Sequence, residues 1–278
     1  MPPPATGGGM VLIGSNERPR QDKEAMGNRM KSLVPLLALA LWMGAGCAQA
    51  SIVITGTRVI YPEAEREVTV RLDNVGNTPE LVQTWLDEGN PKTLPSESKA
   101  PFTIVPPLFR LDPKKGQSLR LIYTHDPLPQ DKESVFWLNV LEVPPRDTST
   151  SANDNPNKLQ LAFRTRIKVF FRPTGLTGRA DDGAAQVSWR FVSKGDGGYV
   201  LEASNPTPYN VTFSHLATTV GGTRWTNEKG GMVGPGGKED FDMGNVRTIP
   251  PEPVIVEYTF INDFGVGVKG AFDPQEKK

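Results

Sequence analysis

The chain is poor in the side chains that most chemistry at protein sites requires. It has one cysteine, Cys47, near the end of an N-terminal leader-like segment. A chain starting beyond residue 50 can therefore form no internal disulfide and no thiolate metal site, and must hold its fold by packing alone. The two histidines, His125 and His215, have no Asp, Glu or Cys at metal-ligand spacing. Positive and negative charges balance, with 31 Lys+Arg against 31 Asp+Glu, so nothing favours nucleic acid as a partner. There is no nucleophile-elbow, phosphate-loop or dinucleotide motif. Gly221-Gly222 and Gly230-Gly231 read as turn glycines. Asp181-Asp182 and the Asp240, Asp242 pair are isolated acids in loops, too few for a calcium site. No nucleophile–base pair is defensible, so the expectation is no enzyme, no cofactor and no metal. A convincing long amphipathic helix is missing as well.

What the sequence does contain points to export and to sheet. Met30-Lys31 precedes an apolar run over residues 33–43 and then Ala48-Gln49-Ala50, a small-x-small cleavage site. The run is too short to cross a bilayer comfortably, so the protein is not expected to be membrane-embedded. Residues 30–50 read as a signal peptide cleaved after Ala50, leaving a chain that begins at Ser51 in the periplasm. Translation is expected to start at Met30 or Met26, which makes residues 1–29 an over-long extension; a disordered tail is the alternative. Gly44-Ala45-Gly46-Cys47 has the small residues of a lipidated leader but lacks the leucine usual three places before such a cysteine.

Glycine (28) and proline (26) are abundant, as suits many turns and sheet edges. Alternation with period two marks residues 68–72, 81–86, 118–123, 135–141 and 159–171, separated by turn-rich segments. Prolines 106, 107, 144 and 145 mark strand ends or bends. Beyond a hinge at Pro173-Thr174-Gly175-Leu176, strands are expected at 186–191, 199–204, 209–216 and 254–260, with glycine turns at 195–198, 221–222 and 230–237. The expected fold is all-β: two β-sandwich domains, 51–172 and 173–278.

The last strand of the first domain is unusual. Leu159, Leu161 and Phe163 point to one side and Gln160, Ala162 and Arg164 to the other. The polar segment 146–158 before it reads as a mobile loop. Such a strand at a sheet edge offers backbone hydrogen bonds and apolar knobs to a partner; unprotected, it invites aggregation. Taken alone, the residues favour a strand facing its own core, since alternating apolar residues in a β-protein usually do.

Five blocks carry a family resemblance. They are Thr57-Arg58-Val59-Ile60-Tyr61-Pro62, the run from Leu128 through Val135-Phe136-Trp137-Leu138-Asn139 to Pro145-Arg146, Thr165-Arg166-Ile167-Lys168-Val169-Phe170-Phe171-Arg172-Pro173, Ser204-Asn205-Pro206-Thr207-Pro208-Tyr209, and Ile261-Asn262-Asp263-Phe264-Gly265. In this order, over nearly all of 51–265, they resemble the periplasmic pilus chaperones, the PapD-like family of chaperone–usher systems. The resemblance implies two immunoglobulin-like domains set in an L. It implies a chaperone that donates a β-strand to pilus subunits (pilins) and delivers them to an outer-membrane usher. It makes Arg58 and Lys168 the anchor for the subunit's C-terminal carboxylate, and Leu159, Leu161 and Phe163 the donor strand. Glu133, Arg172 and Asp263 match the family's interdomain salt-bridge trio. An exposed donor strand would also favour self-association of the free protein. Twelve residues separate Arg146 from Leu159, more than in the family's short-loop branch; the long-loop branch carries a cysteine pair that this chain lacks. The competing reading is a periplasmic or surface adhesion module built on the same sandwiches.

Overall fold

A computed structural model of the chain describes residues 51–145, 160–195, 197–248 and 254–275. The extension 1–29, the leader 30–50, the segment 146–158 and Leu159 lie outside the described residues.

The first domain is a two-sheet sandwich. One sheet has the order β1-β3-β7-β5, from β1 (Ile52–Ile54), β3 (Val68–Asn74), β7 (Gly116–Tyr123) and β5 (Phe102–Val105). The other has the order β2-β9-β8-β4-β6, from β2 (Arg58–Pro62), β9 (Phe163–Arg172), β8 (Ser134–Val143), β4 (Glu80–Asp87) and β6 (Leu108–Leu111). Alternation in the sequence becomes alternation in space. Leu119, Leu121 and Tyr123 of β7 are buried in one core with Val169 and Phe171 of β9, while Arg120 and Ile122 between the β7 residues are more exposed. Tyr61 pins this core: its hydroxyl lies 3.1 Å from the amide nitrogen of Tyr123, which donates to it, and 3.0 Å from the Arg66 carbonyl.

The first strand is split between the two sheets. β1 pairs with β3, and β2 pairs in parallel with β9. Gly56, at φ +92°, takes the backbone conformation this switch needs. Because β2 begins only at Arg58, it reaches no further along β9 than Lys168. Among the described residues the N-terminal half of β9 thus pairs as a strand with β8 alone.

The second domain packs β10 (Ser188–Ser193), β11 (Tyr199–Ser204) and β15 (Lys238–Phe241) against a sheet of order β13-β12-β16-β17. Those strands are β13 (Thr223–Asn227), β12 (Val211–Val220), β16 (Val256–Ile261) and β17 (Gly267–Phe272); β14 (Gly231–Val233) also pairs with β12. Trp189, Phe213, Phe241 and Tyr258 form its aromatic core. The only α-helix among the described residues is the four-residue α1 (Gly183–Gln186).

Two local expectations change. The glycine-rich stretch 230–237 contains the strand β14 and is not turn throughout. Strand β9 begins at Phe163, although alternation starts at Leu159. Its partner β8 stops at Val143, and Pro144 and Pro145 follow; without an N–H, proline cannot extend the ladder opposite residues 161 and 160. Gln160 instead donates from its side-chain amide to the Pro145 carbonyl at 2.6 Å.

Candidate functional site: the outer face and open edge of β9

The inner face of β9 runs through Phe171, Val169 and Ile167, all buried in the core. Phe163 and Leu161 continue that line past the core's end, and they are 38% and 49% exposed. These knobs lie beside the half of β9 that β2 does not reach. Neither is among the buried residues of the domain's core cluster.

The outer face of β9 carries Arg164, Arg166, Lys168 and Arg172 at alternate positions, interrupted by Phe170. Two of these four cations have carboxylate partners. Arg166 pairs bidentately with buried Asp87 at 2.5 and 3.1 Å and lies over the Trp137 ring, 4.5 Å from its centroid. Burial acts to raise the Asp87 carboxyl, but hydrogen bonds from Arg166, Asn139 and the Gly89 amide hold it below its ordinary value. Arg172 bonds Glu133 Oε1 at 2.7 Å and both Asp263 oxygens at 2.6 and 2.9 Å. Burial pulls the Arg172 guanidinium down, yet the Asp263 hydrogen bonds and the Glu133 charge outweigh it and hold it above its ordinary value.

Arg58 and Lys168, between these two pairs, are different. They are register partners across β2 and β9. Arg58 Nη1 donates to the Ile261 carbonyl at 2.8 Å, and its guanidinium lies over Phe170 at 5.5 Å. Its Nε is buried without a hydrogen-bond partner among the described residues. Lys168 Nζ donates to Thr212 Oγ1 at 3.3 Å and sits over the Trp137 ring. Neither cation has an ion pair among the described residues. Burial lowers the Arg58 guanidinium, an effect that Asp263 and Glu133 oppose. Burial, with Arg58 adding to it, pushes the Lys168 ammonium down to about 8.

Two loops of the second domain close this region. Buried Asn205 donates to the Tyr209 carbonyl at 2.7 Å and accepts from the Thr207 amide at 3.0 Å, which fixes the Asn205-Pro206-Thr207-Pro208-Tyr209 loop. That loop presents the Pro208 carbonyl to the Glu133 amide at 2.9 Å and the Asn210 amide to Glu133 Oε2 at 2.8 Å. The turn after β16 is tied by Asn262, whose Oδ1 accepts from the Phe264 and Val266 amides. Gly265 closes it at φ +80°, where any Cβ would come within 2.4 Å of Thr57 Oγ1. Only glycine lets this turn approach β2 and bring Asp263 to Arg172.

The structure thus brings Glu133, Arg172 and Asp263 into one network, and Arg58 and Lys168 side by side next to it. Leu161 and Phe163 lie further along the same strand. The residues that receive these side chains were not legible in the sequence: Thr212, Trp137, Asn210 and the Ile261 carbonyl. Trp137 and Ile261 lie within the family-like blocks and Asn210 and Thr212 just after one, but nothing in the sequence marked them as partners of these side chains.

Comparison with known proteins shows the family. The profile described as "Pili and flagellar-assembly chaperone, PapD N-terminal domain" matches residues 51–177, and "Pili assembly chaperone PapD, C-terminal domain" matches residues 182–272. The chain belongs to the periplasmic pilus-assembly chaperones. It is 43% identical to the probable fimbrial chaperone YadV of Escherichia coli K12, over 80% of this chain and 89% of that one. It is 41% identical to the chaperone protein FimB/FhaD of Bordetella pertussis, over 80% of this chain and 87% of that one. The crystal structure of YadV superposes with a TM-score of 0.67 at 40% identity, covering 80% of this chain and 98% of that one. A Salmonella enterica structure of the SafB chaperone in complex with SafA pilin matches with a TM-score of 0.62 at 29% identity, over 82% of this chain and 97% of that one. Family membership makes the chain a periplasmic chaperone and not an enzyme. Among the described residues no cluster of three or more His, Cys, Asp or Glu could hold a metal.

Proposed function

We propose that this chaperone captures a pilus subunit along the open half of β9 and anchors the subunit's C-terminal carboxylate on Arg58 and Lys168. The observation that carries the reading is the half-paired strand itself: residues 163–167 have β8 on one side and no strand on the other among the described residues. An extended segment of the subunit adds there by backbone hydrogen bonds. Leu161 and Phe163, with Leu159 before them, enter the subunit's apolar groove. Each such side chain contributes on the order of 1.5–3 kcal/mol before ordering costs.

Charge sets the register. Arg166 and Arg172 already have carboxylates, so an incoming anion finds its partners at Arg58 and Lys168, where charge-assisted bonds are strong because the site is partly desolvated. The Glu133–Arg172–Asp263 network holds the two domains so that Thr212 and the Ile261 carbonyl orient this pair. Its role is orientation more than stability, since desolvation offsets much of its Coulomb gain. The domain division is placed at the hinge after Arg172. The loaded chaperone passes its subunit to an outer-membrane usher, and free copies self-associate through the same exposed edge. Export uses the leader 30–50, cleaved after Ala50.

Co-expression with a pilin encoded beside the chaperone gene tests the reading. A soluble one-to-one complex purified from the periplasm is expected. Recovery of the pilin only as aggregate, with the chaperone free, would overturn it.

A further inference from the structure

A second polar site lies at the far end of the first sandwich, away from the cationic pair. Glu142 of β8 is buried among the ends of core strands, and its Oε2 accepts three hydrogen bonds. They come from the Ser51 amide nitrogen at 3.1 Å, the Ser51 hydroxyl at 2.8 Å and the Ile52 amide at 2.9 Å. Glu142 stands opposite Val82 of β4, and Glu80, two residues before Val82, occupies the same face. Glu80 is also buried, and its Oε2 has no hydrogen-bond partner among the described residues. Neither carboxylate has an ion pair with a described lysine or arginine. Two acids buried at one end of a core without a cation are costly.

Residue 51 is also tied down by its neighbours. Its carbonyl accepts from the Val75 amide at 2.8 Å, and a Cβ on Gly76 would fall 2.7 Å from the Ser51 Cβ. Terminal residues normally fray unless tied down. Glu142 is moreover the register partner of Phe163, the residue at which β9 begins. Whatever fixes Glu142 fixes the base of the open edge.

We propose that Glu142 is the receptor for the α-ammonium that leader cleavage creates on Ser51. The inference rests on cleavage after Ala50, as read above. Hydrolysis of the Ala50–Ser51 peptide bond consumes one water, leaves a carboxylate on Ala50 and turns the Ser51 nitrogen into an ammonium. That nitrogen is already 3.1 Å from Glu142 Oε2. Processing therefore converts an amide hydrogen bond into a partly buried ion pair and supplies the missing cation. The processed chain is more stable than any form carrying residues ahead of Ser51, and its donor edge is better fixed at Phe163.

The pairing has a pH signature. A bound carboxylate raises the α-amino pKa above its unfolded value of about 8. The added stability is complete below that value and disappears as pH rises through the raised one. The other charged groups near residue 51 are Glu80 on β4, Asp73 on β3, which pairs with Arg71, and Lys114, whose ammonium meets the Val75 carbonyl. All of them are retained in a Glu142→Gln variant, so the difference between the two proteins isolates the pair.

The test uses protein expressed with its own leader and purified from the periplasm. Mass spectrometry first reports the N-terminal residue; a first residue other than Ser51 refutes the cleavage reading itself. With Ser51 established, the α-amino group is labelled with an amine-reactive reagent near neutral pH. Labelling about tenfold slower in wild type than in Glu142→Gln is expected, the change that one unit of pKa produces. A glycine inserted after Ala50 gives a second variant that keeps Glu142 and displaces the ammonium. It should label fast, melt at a lower temperature than wild type, and lose that deficit above the raised α-amino pKa. Equal labelling in wild type and both variants, with Ser51 first in the wild type, would overturn the ion pair while leaving the cleavage reading standing.

Discussion

Arg58 and Lys168 face each other across the parallel pairing of β2 and β9, and each spends its hydrogen bond on a neutral oxygen, the Ile261 carbonyl and the Thr212 hydroxyl. The cations on either side, Arg166 and Arg172, are neutralised by carboxylates. Two adjacent, partly buried positive charges with no ion pair among the described residues are the feature that an anionic chain end would satisfy.

Arg58→Ala and Lys168→Ala should each fold normally and fail to accumulate the pilin complex. Neither side chain supports the core, and removing either relieves like-charge repulsion in the free protein. Circular dichroism and pilin recovery from the periplasm measure the two halves of this prediction. Unchanged recovery with an unchanged spectrum would remove the anchor role.

Lys168 also sets a pH dependence. Burial lowers its ammonium to about 8 from an ordinary 10.5. In that interval the unfolded chain binds a proton that the folded one has released, so stability of the free protein should rise with pH from about 8 upward. Subunit capture should run the other way, weakening as the ammonium deprotonates. Urea midpoints and pilin affinity measured between pH 7 and 10 test both signs, and Lys168→Arg should flatten both curves.

Leu161→Glu separates a donated strand from a core strand. Leu161 is 49% exposed, so the free protein should lose little stability, well under the 2–5 kcal/mol typical of truncating a buried leucine. Capture should be abolished, because the carboxylate would enter an apolar groove unpaired. Gln160→Glu should do much less. A strongly destabilised Leu161→Glu that still captures pilin would leave the donor-strand role without support.

The Arg172 network should respond unequally to its two acids. The Glu133 side chain is 2% exposed and that of Asp263 is 29% exposed. Arg172→Ala strands Glu133 in the interior and should cost about 3–5 kcal/mol. Asp263→Ala leaves the Arg172–Glu133 pair intact and should cost about 1 kcal/mol or less. Its main effect should be on capture, since Asp263 shares the turn that carries the Ile261 carbonyl. Chemical denaturation of both variants, with pilin pull-down, decides this; equal destabilisation would refute the ranking.

The sequence by itself determined that the chain is built of sandwiches. Period-two alternation is a local property, and long strands such as β4, β7 and β8 display it over enough residues to be read directly. It also supplied the family blocks, and through them the names of every residue in the Arg172 network. Short strands such as β1, β2, β14 and β15 escaped, because three to five residues hold too little alternation to differ from a turn. The identical apolar pattern of Phe163 and Val169 could not reveal that one is exposed and the other buried. That was decided only in three dimensions, by where β2 leaves β9 and where Pro144 ends β8. Charge behaved likewise. Arg166, Lys168 and Arg172 are alternate residues of one strand, yet tertiary contacts gave carboxylates to two of them and a neutral hydroxyl to the third. A counter-charge is a matter of distance through space, and sequence order does not encode it.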